Sequence, residues 1–188
     1  MTNIIRCSWV NPKNQLYIDY HDKEWSVPIH DDNHLFEMLI LEGAQAGLSW
    51  ETILKKRENY RQAFDNFDPK IISKYDEDKK NELLQNSGII RNRLKIKSAI
   101  KNAQIFLEIQ REYKSFDNYI WGFVDHKPII NKFKNLSEIP VKTDLSDIIS
   151  KDLKKRGMNF VGSTIIYAFM QAVGIVNDHI TDCFRYQE

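Results

Sequence analysis

The stretch KKRGMNFVGSTIIYAFMQAVG, residues 154–174, decides the fold class of this chain. A basic helix end meets a short turn bounded by Gly157 and Gly162, and Ser163 then opens an apolar helix. Such a turn presents backbone N–H groups beside a helix N-terminus, a geometry that binds phosphate without reading a base. An ordinary helical hairpin with a solvated basic end is the alternative. The serine and the neighbouring cations favour a helix-hairpin-helix motif over about 144–174.

Helical patterns also dominate the rest of the chain. Apolar residues recur at helix spacing over 34–46 and again after Ser49, which is a suitable N-cap. Asp68-Pro69 combines a capping carboxylate with a proline at the first helical position. Further helical segments are predicted over 76–86, 89–113, 116–124, 144–155 and 163–174. No convincing run of alternating residues indicates a strand, so the predicted class is all-α.

Length and charge limit the possible functions. The 188 residues suffice for one compact domain or two tightly packed helical lobes, and a single unit over 1–188 is expected. Lys and Arg number 27 against 26 Asp and Glu, so a nucleic-acid surface must be a local patch. No apolar run approaches about 20 residues, which predicts no membrane span. Residues 1–6 lack the apolar core of a signal peptide, and a soluble cytoplasmic protein is expected.

The only two cysteines lie at opposite ends of the chain, and each has a histidine nearby. Cys7 precedes His21, while His179 and Cys183 form an H-x-x-x-C pair that would share one face of a helix. Two thiolates and two imidazoles make a closed tetrahedral zinc set. Buried apolar cysteines and a disulfide are the alternatives, although a reducing compartment disfavours the disulfide.

A carboxylate on an apolar helix face is the second informative feature. In LFEMLILEGAQAGLSW, residues 35–50, Glu42 follows Leu35 by seven positions and Met38 by four. A buried carboxylate is costly unless it is paired or used, so a salt bridge or a helix end near Gly43 is the alternative to a functional site. Aromatic residues around it predict a pocket for a flat, electron-poor ring, unless they are simply core: Trp9, Tyr17, Tyr20, Trp25 and Trp50.

Motifs in a fixed order along nearly the whole chain carry a resemblance to a known family. Besides residues 35–50 quoted above, they are RCSW (6–9), LYIDYHDKEW (16–25), LKKR (54–57), GIIRNR (88–93), LSEIP (136–140), LKKRG (153–157), FVG (160–162) and VNDH (176–179). Together they resemble the bacterial DNA-3-methyladenine glycosylase I family, constitutive alkylation-repair enzymes with a helix-hairpin-helix fold. Ser26 and Ala44 depart from residues usual in the family, which leaves local loop geometry in question but removes no functional group.

The resemblance implies roles for individual residues. It implies one structural Zn²⁺ per chain, joining the N- and C-terminal segments through Cys7, His21, His179 and Cys183. It implies that Glu42 is the base-recognition and catalytic carboxylate. The pocket aromatics then fall on Tyr17, Tyr20, Trp50, Trp9 and Trp25. The DNA plug and hairpin contacts fall on Gln45, Gly47, Leu48, Lys155, Arg156, Gly157, Gly162 and Ser163.

The implied activity is hydrolysis of the N-glycosidic bond of 3-methyladenine in duplex DNA, with the free base as product. The sequence gives no evidence for a lysine nucleophile, so a monofunctional enzyme without strand cleavage is expected. A monomer is expected as well. Asp178 is expected to have a structural role beside His179. A non-catalytic helix-hairpin-helix protein that binds DNA damage is the alternative. A metallohydrolase needs an open zinc position, and four protein ligands argue against one.

Overall fold

The computed structural model describes residues 4–186 and builds them mainly from helices, so the all-α class is confirmed for this part of the chain. Nine α-helices lie in it: α1 Gln15–Lys23, α2 Asp32–Gln45, α3 Trp50–Ala63, α4 Pro69–Ile72, α5 Glu77–Gln85, α6 Arg93–Tyr113, α7 Phe116–Trp121, α8 Asp144–Lys155 and α9 Ser163–Ala172. None of these helices is long and apolar enough to cross a membrane. The expectation of one unit over 1–188 stays a prediction, and residues 1–3 and 187–188 lie outside the described range.

Side-chain caps explain where several helices begin. Ser49, Asp68 and Asp76 each accept a hydrogen bond from a backbone N–H two or three residues later, which confirms the predicted helix starts. Asn92 does the same for two N–H groups, so α6 begins at Arg93 rather than at residue 89. The predicted segment 116–124 is α7 followed by a 3₁₀ turn from Gly122 to Val124.

Three local features differ from the sequence prediction. Helix α1 was not predicted, and its N-cap residue Asn14 makes no side-chain capping bond that would mark its start. Strand β1, Ile129–Ile130, pairs in parallel with β2, Val176–Asn177, and two residues are too few to show an alternating pattern. The segment 179–183 is a turn rather than a helix, because the Cys183 N–H bonds to the carbonyl three residues back, at position 180.

Helix α2 lies at the centre of the described fold. Ten of its fourteen residues, from Leu35 to Ala44, are buried. A helix that is buried on most sides needs neighbours around its whole circumference, and α3, α6, α7 and α9 supply them. The buried set includes two carboxylates, Glu37 and Glu42, whose different surroundings are described below.

Helices α8 and α9 form the hairpin expected over about 144–174. Thr143 and Ser146 form a reciprocal capping box at the start of α8. Helix α8 ends at Lys155, and Gly157 in the turn that follows has a φ of +101°, which glycine adopts at little cost. Helix α9 begins after Gly162, which has no side chain to cap it. The backbone N–H groups of its first turn therefore have no side-chain acceptor at the N-cap. Two helices joined by a glycine-bounded turn therefore lie where the sequence predicts them.

A buried side chain of α6 holds this hairpin turn. The amide of Asn102 is 2% exposed, and its Nδ2 donates to the carbonyl oxygen of Asn159 at 2.9 Å. The N–H of Asn159 donates in return to Oδ1 of Asn102 at 2.9 Å. These two hydrogen bonds fix the position of the turn along α6. The next residue, Phe160, then lies against α2, where a Cβ added to Gly43 would come within 3.2 Å of the Phe160 Cβ.

Replacing Asn102 by alanine is expected to destabilise the fold, because both backbone groups of Asn159 lose their buried partner. The expected loss in the free energy of unfolding is about 1–3 kcal/mol, measured by urea denaturation. Gln104→Ala is the matched control, since Gln104 lies on the same helix and makes one exposed bond to the Ser73 carbonyl. A loss no larger for Asn102→Ala than for Gln104→Ala would contradict the assigned role.

Candidate active site

A cavity of about 330 Å³ opens beside the C-terminal part of α2. Helices α1, α2, α3 and α9 contribute to its wall, and the segment 136–141 closes one side. All six residues that the sequence assigned to base recognition line it: Trp9, Tyr17, Tyr20, Trp25, Glu42 and Trp50. Side chains from four separate segments thus meet in one place, as the pocket hypothesis requires.

Glu42 is the only carboxylate among the described residues that line the cavity, and it is 4% exposed. Within residues 4–186 its side chain has no hydrogen bond and no ion pair. Burial alone raises its pKa to about 8. Glu37, on the same helix, is also buried, but Arg57 Nε lies 2.6 Å and Arg61 Nη2 2.9 Å from its Oε1. The salt-bridge alternative therefore describes Glu37 and not Glu42.

The aromatic residues that line the cavity with Glu42 pack against one another in tilted pairs. The centroids of Tyr20 and Trp50 lie 5.3 Å apart, and those of Trp9 and Tyr17 lie 5.2 Å apart. Burial raises the pKa of Tyr20 well above its usual value, and the nearby Glu42 raises it further, so the phenol stays neutral. The buried Nε1 of Trp50 has no hydrogen-bond partner in the described structure. A buried acceptor and an unsatisfied donor thus line the same cavity.

The four predicted metal ligands form a buried cluster behind this aromatic wall. The ligand atoms of Cys7, His21, His179 and Cys183 all lie within 4.8 Å of one another. Both cysteines are free, so the disulfide alternative does not describe this structure. The ring of Trp25 lies 4.6 Å from that of His179, edge to face, and the same tryptophan lines the cavity. The cluster therefore supports the pocket wall directly.

In each imidazole of the cluster, the ring nitrogen that faces away from the cysteines lies beside a hydrogen-bond acceptor. The other ring nitrogen is then the one available to a metal. His21 Nδ1 lies 2.7 Å from Asp22 Oδ1, and His179 Nε2 lies 3.3 Å from the Trp25 carbonyl oxygen. If each of these nitrogens carries the proton, the lone pairs of His21 Nε2 and His179 Nδ1 point toward the thiols. Asp22 is itself held by two nitrogens of Arg6. Histidine ligands oriented by carboxylate or carbonyl acceptors are typical of metal centres.

Comparison with known proteins agrees with this geometry. The family described as methyladenine glycosylase matches residues 9–186. The chain belongs to this family. It is 51% identical over 178 residues to the DNA-3-methyladenine glycosylase of Haemophilus influenzae, covering 95% of this chain and 96% of that one.

Solved structures of methyladenine glycosylases share the fold throughout. A crystal structure of 3-methyladenine DNA glycosylase I gives a TM-score of 0.94 at 53% identity, covering 97% of this chain and 100% of that chain. A Staphylococcus aureus structure that addresses 3-methyladenine recognition gives 0.94 at 33% identity, covering 97% of each chain. The helical architecture found here is thus that of the family.

The sequence analysis did not predict Tyr167 and Gln171 as cavity residues, and for Asp178 it predicted only a structural role. Asp178 is fully buried and accepts hydrogen bonds from Tyr167 Oη at 2.6 Å, Gln171 Nε2 at 2.8 Å and Asn131 Nδ2 at 2.7 Å. Tyr167 and Gln171 line the cavity from α9. Their i, i+4 spacing on an otherwise apolar helix is the signal that sequence reasoning missed. Asp178 thus orients part of the pocket wall, which accords with the structural role expected of it.

The predicted plug residues lie in the tight loop between α2 and α3. Gln45 ends α2, and its carbonyl accepts a hydrogen bond from the Leu48 N–H at 2.6 Å. Gly47 has a φ of +79°, a conformation that a side chain would strain. The Leu48 side chain is 40% exposed at the tip. A projecting apolar side chain on a rigid loop is suited to insertion between bases.

The structure brings the predicted hairpin residues together, but the Arg156 side chain is engaged in ion pairs within the protein. Lys155 is exposed, while Gly157, Gly162 and Ser163 lie in the turn and at the start of α9. The guanidinium of Arg156 bonds to Glu112 at 2.6 Å and to Asp152 at 2.7 Å, and it lies over the ring of Tyr113. Its contacts therefore fasten the end of α8 to the end of α6.

The raised pKa of Glu42 makes stability depend on pH. Because the folded state holds the proton up to about pH 8 and the free group only to about 4.5, the stability present at low pH is lost as pH rises through this window. Glu42→Gln should therefore gain stability relative to the original chain as pH rises, by up to about 1.4 kcal/mol per pH unit.

Urea denaturation of both proteins at pH 5 and pH 8 measures this difference. Groups remote from Glu42 contribute equally to both proteins and cancel. A difference in unfolding free energy that does not change with pH would mean that Glu42 is ionised and paired.

Proposed function

We propose that this protein is a DNA-repair glycosylase that extrudes 3-methyladenine from alkylated duplex DNA and hydrolyses its N-glycosidic bond. The observation that carries the proposal is a buried, unpaired carboxylate in an aromatic cavity. Family membership supports it, because a relative 51% identical over nearly its whole length is a DNA-3-methyladenine glycosylase. The extruded base would lie between the tyrosine and tryptophan rings with its polar edge toward Glu42.

The charge of the damaged base explains the selectivity. Methylation at N3 makes the nucleobase cationic, and a cation entering the cavity compensates the burial of Glu42, lowers its pKa and leaves it ionised. The carboxylate then accepts a hydrogen bond from the exocyclic amine of the cationic base. Neutral adenine brings no such charge, so it leaves the carboxyl group protonated and unpaired. A cationic ring also gains more than a neutral one from stacking on aromatic faces.

The same charge explains why little acid catalysis is needed. The N-glycosidic bond of a cationic purine is already weakened, so the enzyme must mainly extrude the nucleotide, hold the base and admit water. No lysine is among the described residues that line the cavity. An amine nucleophile is the group that would form a Schiff base and lead to strand cleavage. Its absence from the wall supports a monofunctional hydrolase.

DNA binding is assigned to two surfaces. Leu48 would enter the gap that the extruded nucleotide leaves, with Gln45 and Gly47 shaping the loop. The N–H groups of the hairpin turn, from Gly157 to Ser163, would hold a backbone phosphate, and Lys155 would add charge. Arg156 would support the hairpin from behind through the contacts described above. The monomeric state and the cytoplasmic location stay predictions.

We propose Zn²⁺ as the ion of the buried Cys7, His21, His179 and Cys183 cluster. Two thiols and two imidazoles within 4.8 Å fit the soft, tetrahedral preference of zinc, and four protein ligands leave no position for a reactive water. The ion when bound would join the end of α1 to the segment after β2. Its role would be structural, since Glu42 and the cavity aromatics carry the recognition.

A non-catalytic protein that binds DNA damage is the second candidate, because an aromatic cavity can recognise a base without releasing it. Release of free 3-methyladenine from methylated DNA, resolved by chromatography, separates the two. If no free base is released, the protein binds DNA damage without catalysis, and the glycosylase proposal is wrong.

Glu42→Gln tests the pocket assignment. The rate of 3-methyladenine release is expected to fall about ten- to a hundredfold, because a hydrogen bond to a charged group contributes about 1.5–3 kcal/mol. Binding to undamaged DNA, measured by fluorescence anisotropy, should change little. Glu51→Gln is the control, since Glu51 is a carboxylate outside the cavity lining that pairs with Lys55. Equal losses in release and in undamaged-DNA binding would contradict the assignment.

Cys183→Ser tests the metal site. Bound zinc, measured by atomic emission, is expected to fall from about one ion per chain to near zero. The melting temperature should fall by more than about 10 °C, since each kcal/mol shifts it by about 2–4 °C in a chain of this size and a zinc site contributes many. Release activity per folded molecule should persist. His30→Gln, at an exposed histidine outside the cluster, should keep both zinc content and melting temperature. If Cys183→Ser keeps both its zinc content and its melting temperature, the proposed metal site is wrong.

A further inference from the structure

Lys95 of α6 makes two contacts that neither the pocket nor the hairpin accounts for. Its Nζ donates to the carbonyl oxygen of Ala44 at 2.7 Å and to that of Ala46 at 2.8 Å. Both carbonyls belong to the C-terminal end of α2, directly before Gly47 and Leu48. One lysine thus holds the point at which α2 passes into the plug loop.

The interaction is well matched in charge. The last carbonyls of a helix lack intrahelical donors and carry the negative end of the helix dipole, so an ammonium group there is stabilising. No carboxylate in the described part of the chain forms an ion pair with Lys95. Lys95 is half-buried, and this burial lowers its pKa from the usual value. The two carbonyls are therefore its main polar partners.

The loop is fixed from its other side as well. Ser49 accepts a hydrogen bond from the Thr52 N–H at 3.2 Å and so caps α3. Between this cap and the Lys95 contacts, only Gly47 and Leu48 remain. The exposed Leu48 is therefore carried on a two-residue span that is held at both ends. If the contact at the α2 end were lost, that end of the loop would be free to move.

We propose that Lys95 is a positioning residue for nucleotide extrusion: it fixes the end of α2 so that Leu48 enters the duplex beside the extruded base. The inference rests on the wedge role proposed above for Leu48. It assigns Lys95 no contact with the base or with the reacting bond. It also separates Lys95 from the exposed cations, whose contribution to DNA binding would be general attraction to phosphate.

A double-mutant cycle tests the proposal. Single-turnover release of 3-methyladenine from duplex DNA is measured for Lys95→Met, Leu48→Ala and the double variant. Lys95→Met should lower the rate about ten- to a hundredfold, because small misplacements of positioning groups have effects of this size. The double variant should be no slower than Leu48→Ala alone, since both changes disable the same wedge. Lys97→Met, at an exposed lysine of α6, is the control for loss of one positive charge and should be additive with Leu48→Ala.

Binding of free 3-methyladenine, followed by tryptophan fluorescence, distinguishes positioning from general damage. Lys95→Met should bind the free base as the original chain does, because the cavity lining does not include Lys95. Additive losses in the cycle, or a DNA affinity that falls less steeply with salt than that of the original chain, would make Lys95 a phosphate contact and overturn the proposal. Weakened free-base binding would make its role one of pocket stability and overturn it too. If Leu48→Ala itself leaves release unchanged, the wedge role fails first, and this inference falls with it.

Discussion

The burial of helix α2 is the constraint on which the rest of the structure depends. A helix enclosed on most sides carries two carboxylates into a poorly solvated interior, and each must be neutralised in some way. Arg57 and Arg61 compensate Glu37, and Arg57 also bonds to Glu24, so one ion network fixes α3 and the end of α1 against α2. Glu42 has no such partner. Its compensation must come from a proton or from a cationic ligand, which is the basis of the proposed selectivity.

Helix α6 supports the two surfaces that would meet DNA. Lys95 and Asn102 are seven residues apart, or two helical turns, so they lie on one face of α6. The first holds the end of α2 and the plug loop, and the second holds the hairpin turn at Asn159. Between these two sites, Phe160 of the hairpin turn packs against Gly43 of α2. Hydrogen bonds from α6 to backbone carbonyls and N–H groups therefore connect the plug loop to the hairpin turn, independently of the metal cluster.

The small β1–β2 pair also has a consequence for the pocket. It brings Asn131, just after β1, to Asp178, just after β2, and their bond places the carboxylate under α9. Asp178 then fixes Tyr167 and Gln171, which line the cavity. A neutral phenol and two neutral amides donate to this carboxylate, so its charge is satisfied without an added cation. Glu42, which makes no hydrogen bond in the described structure, is the group left free to accept from a ligand.

Sequence alone determined most of the helices, though not α1, and the chemical types of the site, because caps and apolar spacing are local properties of the chain. Ser49, Asp68 and Asp76 marked helix starts, and the position of Glu42 on the stripe of Leu35 and Met38 predicted its burial. Which buried charges would find partners was decided only by tertiary structure. The pairing of Glu37 with Arg57, the hold of Lys95 on a carbonyl 49 residues away and the three donors on Asp178 all join distant segments. Spacing along a helix fixes which face a side chain shares, whereas its electrostatic partner depends on which segment packs against that face.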